Sequence, residues 1–521
     1  MYRMPLCRLV EPLLLKSLEG NAAGEVTGFA AHSAHVRPGN LFLALSGRHT
    51  EGWRHARQAL ERGALAVVAG RECPLEAVPL LRVPDVRLAA ALLANRFYDY
   101  PSRKLRLIGV TGTNGKTTTT HMIDALFKAR GETTGLLGTV GYWIGTQRLP
   151  ATATTPEAAE LQKMLARLAE MGGRRVTMEV SSHALAQHRV AGCRFAVAVL
   201  TNITGEHLDY HRSFEAYLEA KIKLFAQLGW EEAHGGGPRA AVLNVDDPCY
   251  HRVERMTAGQ KITYGIERPA DVRAVSLQEK AAGMRFKVES FAGCGQFELR
   301  VPGRFNVYNA LAAVAVGLIE GLDIDTIAEA LYRFPGVPGR FELVDASLGF
   351  MVVVDYAHTP DGLENAIRTA RSLTGGRVIA VFGCGGERDR SKRILMGEVA
   401  GRYSDLVFLT DDNPRGEDPA AIVREVEPGL MSNPPAEGYR IIHDRREAIA
   451  AALQAARRGD LVLIAGKGHE AEQIYRNRVI PFSDRQVVKE LIAAAKQGRN
   501  KHENHDRFGA GGGMPRANSS R

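Results

Sequence analysis

The segment GVTGTNGKTTTT, from Gly109 to Thr120, constrains the fold of this chain more than any other stretch of its sequence. An apolar run over residues 105–110 leads into it, so the pattern predicts a buried strand, a glycine-rich turn and a helix that begins at the Lys-Thr pair. Val110 stands where the strict phosphate-loop spacing has its first glycine, and Gly109 lies one residue earlier. An ordinary glycine-rich turn is the alternative, but the full combination favours a phosphate-binding loop.

Such a loop would bind ATP through its backbone and two side chains. Glycines allow backbone N–H groups to point at phosphate oxygens, and the start of the helix favours negative charge. We expect Lys116 to contact the terminal phosphates and the Thr117 hydroxyl to face Mg²⁺. The candidate ATP contacts of the loop are Gly112, Thr113, Asn114, Gly115, Lys116, Thr117 and Thr118.

The composition indicates a soluble protein of several domains. A chain of 521 residues is too long for one ordinary hydrophobic core. Six Lys or Arg and two acidic residues after residue 495 give +4 of the net charge of +9, and the rest is spread out, so we expect no nucleic-acid partner. The six cysteines are scattered, which predicts a reducing, cytoplasmic location. The sequence has neither a secretory signal peptide nor a run of about 18 apolar residues, so we expect no membrane span.

The alternation of apolar runs and helical segments predicts an α/β fold in three domains. The first covers residues 1–103 and is small; the second, residues 104–338, contains the phosphate loop and a mostly parallel sheet. The third, residues 339–496, has five strand–helix units, which favours a Rossmann-like sheet. Its predicted strands are Met351–Asp355, Val378–Phe382, Leu406–Thr410, Arg440–His443 and Leu461–Ala465. Residues 497–521 lack a core-forming pattern and predict a disordered tail.

Several further motifs follow the phosphate loop in a fixed order. They are ATTP, EVSSH, TNITGEHLDYH, GRFNVYNALAA, PGRFE, DYAHTPD, GCGGERDRSKR, DDNPRGEDP and AGKGHE, and with GTNGKTT they extend over residues 105–475. In this order they resemble the Mur ligases, the ATP-dependent amide-bond-forming enzymes of peptidoglycan precursor synthesis. One such motif alone would be weak evidence, but several independent motifs in one order argue against a match by chance.

The resemblance implies a function for each domain. The first would hold the UDP group, the second would use ATP and Mg²⁺, and the third would hold the incoming amino acid. The implied reaction adds meso-diaminopimelate to the γ-carboxylate of D-glutamate in UDP-MurNAc-L-Ala-D-Glu through an acyl phosphate. Both substrates are small molecules, and we expect a monomer.

The resemblance also implies a metal site in the central domain. Glu179 ends a predicted strand, where open parallel sheets place ligands, and a carboxylate suits Mg²⁺. By similarity Thr117, His207 and Lys221 complete the set, with Lys221 carbamylated. Taken alone, Glu179 and His207 would more often be surface or hydrogen-bonded residues, and Lys221 a solvated helix lysine. The implied catalytic residues are Lys116, Glu179, His207 and Lys221.

The UDP-sugar peptide would contact both the first and the central domain. The implied residues are Ser33, Arg48, His49, Thr50, Thr154, Thr155, Ser181, Gln187 and Arg189. Arg189 suits an anionic substrate because its planar guanidinium matches phosphate or carboxylate. The first domain departs from the family at two places: the usual D-S-R is His32-Ser33-Ala34, and the usual D-G-H is Glu51-Gly52-Trp53. These departures change the neighbours of the residues that are expected to contact UDP.

The remaining nucleotide contacts fall on both sides of the second linker. Asn306 and Asn309 lie near the start of a predicted helix, and by similarity Asn309 would contact adenine. Helix capping is the alternative role for these residues, as it is for Asp355. Arg340, Asp355 and His358 resemble family residues that contact the nucleotide.

The DNPR segment, residues 412–415, bears on the choice of amino acid. A diaminopimelate side chain ends in an ammonium and a carboxylate, so its site needs both an acceptor and a cation. Lysine lacks the second carboxylate and would leave an arginine unpaired, which is costly in a closed site. The implied contacts are Arg388, Asp412, Asn413, Pro414, Arg415, Gly466 and Glu470.

Three alternatives stay open at this point. A lysine-adding ligase of the same family would share nearly all of these motifs. A ligase that adds glutamate to folate would share the phosphate loop, but DNPR and GKGHE argue against it. A non-catalytic sensor of UDP-MurNAc peptides would fit the altered first domain, although Lys116, Thr117, Glu179 and Lys221 are all present.

Overall fold

The chain divides into two compact units, Met1–Pro335 and Gly336–Arg521, and the division lies close to the boundary predicted at residue 338. The structure is a computed structural model that describes residues 2–21, 23–47, 50–229, 239–280 and 283–509, with side chains described as far as residue 496. Across these residues, no helix combines the length and the apolar character that a membrane crossing requires.

The first 103 residues form a small α/β domain within the first unit. A five-stranded sheet has the order β2-β7-β6-β5-β4 and is parallel except for β2, while β1 and β3 pair separately. The elements are β1 (Met4–Pro5), α1 (Leu6–Leu9), β2 (Ser17–Glu19), β3 (Glu25–Val26), β4 (Gly28–Ala30), β5 (Asn40–Leu43), α2 (Ala56–Glu61), β6 (Ala66–Gly70), β7 (Leu80–Val83) and α3 (Val86–Phe97).

The rest of the first unit is built on an 11-stranded sheet. Its first elements are β8 (Arg106–Thr111), α4 (Lys116–Ala129), β9 (Thr134–Gly138), β10 (Gly141–Ile144), β11 (Gln147–Leu149), α5 (Ala158–Glu170), β12 (Arg175–Glu179), α6 (Ser182–Ala186) and β13 (Phe195–Leu200). They continue with α7 (Leu208–His211), α8 (Phe214–Ala226), β14 (Ala240–Asn244), α9 (Tyr250–Met256), β15 (Gln260–Gly265), β16 (Val272–Lys280), β17 (Gly283–Ser290), β18 (Gly293–Leu299), α10 (Arg304–Ile319) and α11 (Ile324–Tyr332).

The centre of this sheet is parallel and its two edges are antiparallel. The order is β11-β10-β9-β12-β8-β13-β14-β15-β16-β17-β18, and the seven strands that run in this order from β9 through β8 to β16 are parallel to one another. Every residue of β8 and β13 is buried, because helices cover both faces of a parallel sheet. The phosphate loop therefore leaves the sheet from one of its central strands.

The second unit has the predicted Rossmann-like sheet. Its six strands have the order β19-β20-β24-β21-β22-β23, and only β19 is antiparallel. The elements are β19 (Glu342–Asp345), β20 (Met351–Asp355), α12 (Pro360–Leu373), β21 (Val378–Phe382), α13 (Lys392–Tyr403), β22 (Leu406–Leu409), α14 (Pro419–Ser432), β23 (Tyr439–Ile441), α15 (Arg445–Ala455), β24 (Leu461–Ala465), β25 (Glu472–Tyr475), β26 (Arg478–Pro481) and α16 (Asp484–Gly509).

The expected disordered tail needs a correction. Helix α16 continues to Gly509, so residues 497–509 have a helical backbone, while residues 510–521 lie outside the described part of the chain. The helix is anchored by Val487, Val488 and Ile492, which are buried in the core of the second unit. Extending an anchored helix avoids the unfavourable nucleation step, so a polar continuation without a core-forming pattern still becomes helical.

A buried ion-pair cluster holds the amino ends of two central strands together. Glu320, after α10, contacts Arg106 at 2.6 Å and Arg175 at 3.0 Å, and these arginines begin the paired strands β8 and β12. The Glu320 carboxylate is almost fully buried. Removing its charge would take this carboxylate from both arginines in a poorly hydrated place, where Arg175 would keep, among the described residues, only its ion pair with Glu132.

We therefore expect Glu320→Gln to lower the free energy of unfolding by about 3 kcal/mol, the usual size of such a loss for a broken buried pair. Thermal unfolding and hydrogen exchange of the β8 amides would measure this effect. Glu298→Gln is the matched control, because Glu298 pairs with Arg285 on the surface. Equal changes in the two variants would contradict this account of the cluster.

Candidate functional site

The phosphate loop joins β8 to α4 and is closely surrounded. Gly112 and Gly115 have φ angles of 150° and 84°, and α4 begins directly after Gly115. A Cβ atom on Gly112 would lie 1.8 Å from the Thr201 hydroxyl, and one on Gly115 would lie 2.4 Å from Asn309 Oδ1. Both positions therefore need glycine, for conformation and for space.

The loop is supported by the segment that follows β13. The Asn114 amide donates to Asn202 Oδ1 at 2.9 Å, and the Thr113 amide donates to the Asn202 carbonyl at 2.7 Å. The Thr201 hydroxyl donates to the Asn114 carbonyl at 2.6 Å. Thr201 and Asn202 are absent from the sequence prediction, although their position in TNITGEH, after a strand adjacent to β8, was a usable signal.

Two lysines meet at one carbonyl of the loop. Nζ of Lys116 donates to the Gly112 carbonyl at 2.9 Å, and Nζ of Lys221 donates to the same oxygen at 2.7 Å. Burial and the charge of Lys116 lower the pKa of Lys221 well below its usual value, while Glu206 opposes the shift. The interpretation of Lys221 as a solvated helix lysine is therefore wrong, because its side chain is buried.

The other predicted residues of the loop lie close by. Thr117 and Thr118 are buried in the first turn of α4. The Thr113 hydroxyl lies 2.9 Å from the Tyr217 hydroxyl, and Tyr217 lies one helical turn before Lys221 in α8. Tyr217 thus links the loop to the helix that carries Lys221. The sequence prediction missed this residue, although its i, i+4 spacing to Lys221 was a usable signal.

Glu179 lies at the carboxyl end of β12, opposite Val110 of β8. Its buried carboxylate accepts from the Thr139 amide at 2.8 Å and from the Thr139 hydroxyl at 3.2 Å. The Thr139 hydroxyl in turn lies 3.2 Å from that of Thr154. Glu179 therefore presents a fixed, buried carboxylate beside the strand that leads into the phosphate loop.

His207 belongs to an aromatic cluster formed by α6, α7 and α8. Its ring centroid lies 4.6 Å from that of His183 and 6.5 Å from that of Tyr217. Burial, His207 and His211 lower the pKa of His183 to about 3, so this imidazole is neutral. Within the described residues, no group of three or more His, Cys, Asp or Glu side chains has the arrangement of a metal site.

The predicted residues for the UDP-sugar peptide fall into two groups. In the first domain, the Ser33 hydroxyl donates to Gln58 at 2.7 Å, and the Thr50 carbonyl accepts from the Gly47 amide at 2.9 Å. Arg48 and His49 lie outside the described residues. Their contacts with the UDP-sugar therefore stay a prediction.

The second group surrounds Arg189. Its guanidinium donates to Gln187 Oε1 at 2.8 Å and to the Thr155 carbonyl at 2.9 Å. The Thr155 hydroxyl accepts from the Ser181 amide at 3.1 Å. Arg87 of the first domain, which the sequence prediction missed, lies 3.5 Å from the same Gln187 oxygen and donates to the Ser46 carbonyl at 3.0 Å.

Asn306 and Asn309 lie within α10, whose N-cap is Gly303, so the capping alternative is wrong for both. Asn309 Oδ1 accepts from the Thr119 hydroxyl at 3.2 Å, and its Nδ2 donates to Asn306 at 3.1 Å. Asn309 therefore contacts the helix that follows the phosphate loop. Its contact with adenine stays a prediction.

In the second unit, Arg340, Asp355 and His358 surround Tyr356. The Arg340 guanidinium lies 4.5 Å from the centre of the Tyr356 ring, and the His358 ring centroid lies 4.5 Å from it. Asp355 accepts from the Phe341 amide at 2.6 Å, and burial raises its pKa while Arg340 opposes the shift. Thr359 caps α12, so the capping alternative is also wrong for Asp355.

The predicted amino-acid residues lie in three loops that follow β21, β22 and β24. Arg415 has a φ angle of 51° and donates to the Gly386 carbonyl at 2.8 Å. A long side chain in the left-handed region is a strained choice that is common at functional sites. Asp412 is buried, and a Cβ atom on Gly466 would lie 2.6 Å from its Oδ2 atom.

The remaining residues of this group differ in exposure. Asn413 and Pro414 are buried, and Asn413 Nδ2 donates to Glu470 Oε2 at 2.8 Å. Arg388 is exposed and donates to the Glu387 carbonyl at 3.2 Å. The sequence prediction missed Lys467, although it lies inside GKGHE, and Lys467 contacts both Asn413 and Glu470.

A glycine loop with its lysine at the carboxyl end of a parallel sheet defines a nucleotide-binding enzyme of the phosphate-loop class. The chain matches the Mur ligase middle domain over residues 110–317 and the Mur ligase glutamate ligase domain over residues 339–468. It therefore belongs to the Mur ligase family, whose members are ATP-dependent ligases.

Individual relatives agree with this assignment. UDP-N-acetylmuramoyl-L-alanyl-D-glutamate–2,6-diaminopimelate ligase of Geobacillus thermodenitrificans is 48% identical over 91% of this chain and 96% of its own length. A solved structure of a ligase with the same name is 33% identical, with a TM-score of 0.64 over 95% of this chain and all of that one. The MurF ligase of Thermotoga maritima in complex with ADP shares the fold, at 22% identity and a TM-score of 0.60 over 84% of this chain and 93% of its own.

We expect Gly115→Ala to raise the KM for ATP about tenfold or more, because the new methyl group combines φ strain with a close contact to Asn309. Initial rates at varied ATP would measure this effect. Gly131→Ala is the matched control, since Gly131 also has a positive φ of 73° but its Cβ atom would have nothing within 4 Å. A control that raised the KM for ATP equally would show that backbone strain alone explains the effect.

Proposed function

We propose that this enzyme joins meso-diaminopimelate to the γ-carboxylate of D-glutamate in UDP-MurNAc-L-Ala-D-Glu, with the hydrolysis of ATP to ADP and phosphate. Relatives that are 48% and 44% identical over 91% and 94% of this chain carry the name of this ligase. The product would be a nucleotide-linked tripeptide for peptidoglycan synthesis.

The observation that carries the choice of amino acid is the chemistry of the DNPR and GKGHE loops. Arg415 uses one nitrogen for its two contacts with loop carbonyls, and its guanidinium has further donors for a carboxylate. Asp412 and Glu470 supply acceptors for an ammonium group. An amino acid with an ammonium and a carboxylate at the far end of its side chain satisfies this combination, whereas lysine would not use the arginine.

The proposed reaction has two chemical steps. An oxygen of the γ-carboxylate attacks the terminal phosphorus of ATP, the bond to the bridging oxygen breaks, and ADP leaves. The neutral amine of diaminopimelate then attacks the acyl carbon, loses a proton, and displaces phosphate together with the former carboxylate oxygen. One amide bond is formed for each ATP consumed.

The phosphate loop supports the first step. Lys116 is the residue that we propose to stabilise negative charge on the transferring phosphoryl group, and such stabilisation is the main contribution of a protein to this chemistry. Arg340 and His358 are the nucleotide contacts that we propose for the second unit. Asn309 is the proposed adenine contact.

The residues near the loop suit Mg²⁺. The Thr117 hydroxyl and the buried Glu179 carboxylate are hard oxygen donors, which this ion prefers, and His207 is the proposed further ligand. When bound, Mg²⁺ would neutralise charge on the phosphates. A carbamate on Lys221 would add another oxygen donor.

Carbamylation of Lys221 is supported by its surroundings. Only an unprotonated amine attacks CO₂, and burial together with Lys116 favours that form of Lys221. The product is an anion, which would replace repulsion from Lys116 with attraction. A buried amine beside a second ammonium is thus suited to this modification.

For the nucleotide-sugar peptide, Arg189, Gln187 and Ser181 are the proposed contacts in the central domain, together with Thr154 and Thr155. Ser33 and the turn at residues 48–50 are the proposed contacts in the first domain. We also propose a cytoplasmic location, which the six free cysteines support. The monomeric state stays a prediction.

The proposal is tested by phosphate release with ATP, Mg²⁺ and UDP-MurNAc-L-Ala-D-Glu in the presence of meso-diaminopimelate, L-lysine or no amino acid. We expect release only with diaminopimelate, and a product whose mass equals that of the two substrates less one water. Preference for L-lysine would overturn the specificity argument. Absence of turnover in all three reactions would contradict the ligase proposal and favour a sensor.

Arg415→Ala should lower kcat/KM for diaminopimelate about tenfold to a hundredfold, which is the range for the loss of a charged hydrogen bond. Any residual activity with L-lysine should stay constant, because lysine has no side-chain carboxylate for Arg415 to bind. Arg424→Ala, on an exposed position of α14, is the charge-matched control. Equal losses with both amino acids would contradict the assignment of Arg415 to the side-chain carboxylate.

Lys221→Ala should abolish turnover and remove the carbamate resonance from the ¹³C spectrum of protein equilibrated with ¹³C-bicarbonate. Lys223→Ala, on the exposed face of the same helix, should keep both. Partial recovery of the Lys221→Ala variant by acetate would confirm that the missing group is a carboxylate. A resonance that persisted in the Lys221→Ala variant would place the carbamate on another residue, and its absence from wild-type enzyme would contradict carbamylation.

A further inference from the structure

We propose that Lys467 is a positioning residue for the amino-acid substrate, and that it acts by fixing Glu470 and Asn413. The inference rests on the proposed function, because that function assigns Glu470 to an amino group of the incoming amino acid. Lys467 follows β24 and lies between two residues of the candidate site without being one of them.

All three donors of the Lys467 ammonium group are used. Its Nζ atom donates to Asn413 Oδ1 at 3.1 Å, to Glu470 Oε2 at 2.9 Å and to the Glu472 carbonyl at 2.7 Å. The side chain has no exposed surface. An ammonium group has three hydrogens and no acceptor, so Lys467 has no donor left for a substrate.

These contacts give the Glu470 carboxylate one fixed and one available oxygen. Oε2 accepts from Lys467 and, at 2.8 Å, from Asn413 Nδ2. Oε1 has no hydrogen-bond partner among the residues that the structure describes, and the side chain is 30% exposed. The geometry therefore offers Oε1 to an ammonium donor from outside the protein.

Lys467 also connects the DNPR loop to the GKGHE loop. Asn413 Oδ1 accepts from Lys467 and from the Ile474 amide at 3.0 Å, and the Arg415 amide donates to the Ile474 carbonyl at 2.9 Å. The cation that we assign to the substrate carboxylate and the acceptor that we assign to its ammonium are thus held in one hydrogen-bonded group.

Filling space does not explain this lysine. Burying an ammonium group carries a large desolvation cost, and an apolar side chain of similar volume would often be equally stable or more so. The positive charge is retained at a place where it orients a carboxylate of the substrate site. A residue that positions Glu470 for the substrate would have to lie at this place.

The test compares Lys467→Met with wild-type enzyme at varied concentrations of each substrate. We expect the KM for the amino acid to rise about tenfold or more, while the KM values for ATP and for the nucleotide dipeptide stay within about twofold. KM does not depend on the amount of folded enzyme, so a loss of stability alone would not produce this pattern. Lys489→Met, on the exposed side of α16, is the matched control.

A double-mutant cycle with Glu470→Gln tests whether Lys467 acts through Glu470. If it does, Lys467→Met should have little further effect on the KM for the amino acid in the Glu470→Gln background, because coupled residues are not additive. Additive effects would overturn the inference. Lys467→Gln keeps a donor and should show a smaller rise, which supplies a second variant if Lys467→Met folds poorly.

Failure of the inference differs from failure of the proposed function. If wild-type enzyme is inactive with diaminopimelate, the proposed function fails. If wild-type enzyme is active and Lys467→Met leaves the KM for the amino acid unchanged, or raises all three KM values equally, the inference alone fails.

Discussion

The side-chain nitrogens of Lys116 and Lys221 both donate to the single carbonyl oxygen of Gly112, and the proposed chemistry of the phosphate loop depends on this arrangement. Burial lowers the pKa of Lys221, and the nearby charge of Lys116 lowers it further. Lys221 is thereby prepared to lose its proton. The glycine is needed as well, because a side chain at Gly112 would occupy the place of the Thr201 hydroxyl.

Both units place their candidate residues at the carboxyl ends of parallel strands. In the first unit the phosphate loop, Glu179 and Thr201 follow β8, β12 and β13, which are neighbours in the sheet. In the second unit Asp355, Asp412 and Gly466 lie at or after the ends of β20, β22 and β24. This is the edge where open α/β sheets bind ligands. The same rule therefore accounts for where each unit has its candidate residues.

The sequence predicted the buried strands well and the edges of the sheets poorly. Met351–Asp355, Val378–Phe382 and Leu461–Ala465 match the structure residue for residue, because continuous apolar runs are typical of strands covered on both faces. The antiparallel extension formed by residues 272–280 and 283–299 was missed, since its strands alternate between buried and exposed residues and carry many charges. The helix at residues 497–509 was missed because it depends on the anchored segment before it.

For the candidate site, the sequence identified the loops but not the contacts between them. Lys116 could be named from the spacing of its loop, and Glu179 and Arg415 from the resemblance of their motifs to those of the family. Thr201 and Lys467 form hydrogen bonds with residues that are 87 and 54 positions away in the chain, and no local pattern specifies such pairs. The same limit applies to Asn309, whose contact with Thr119 spans 190 residues.

Activation of the γ-carboxylate as an acyl phosphate would transfer one of its oxygens to the released phosphate, and isotope labelling detects that transfer. UDP-MurNAc-L-Ala-D-Glu labelled with ¹⁸O in both γ-carboxylate oxygens would be converted with ATP and meso-diaminopimelate, and the released phosphate would be analysed by mass spectrometry. We expect one ¹⁸O atom in each phosphate, because the former carboxylate oxygen leaves with phosphorus. Phosphate without the label, formed together with the amide product, would contradict activation as an acyl phosphate.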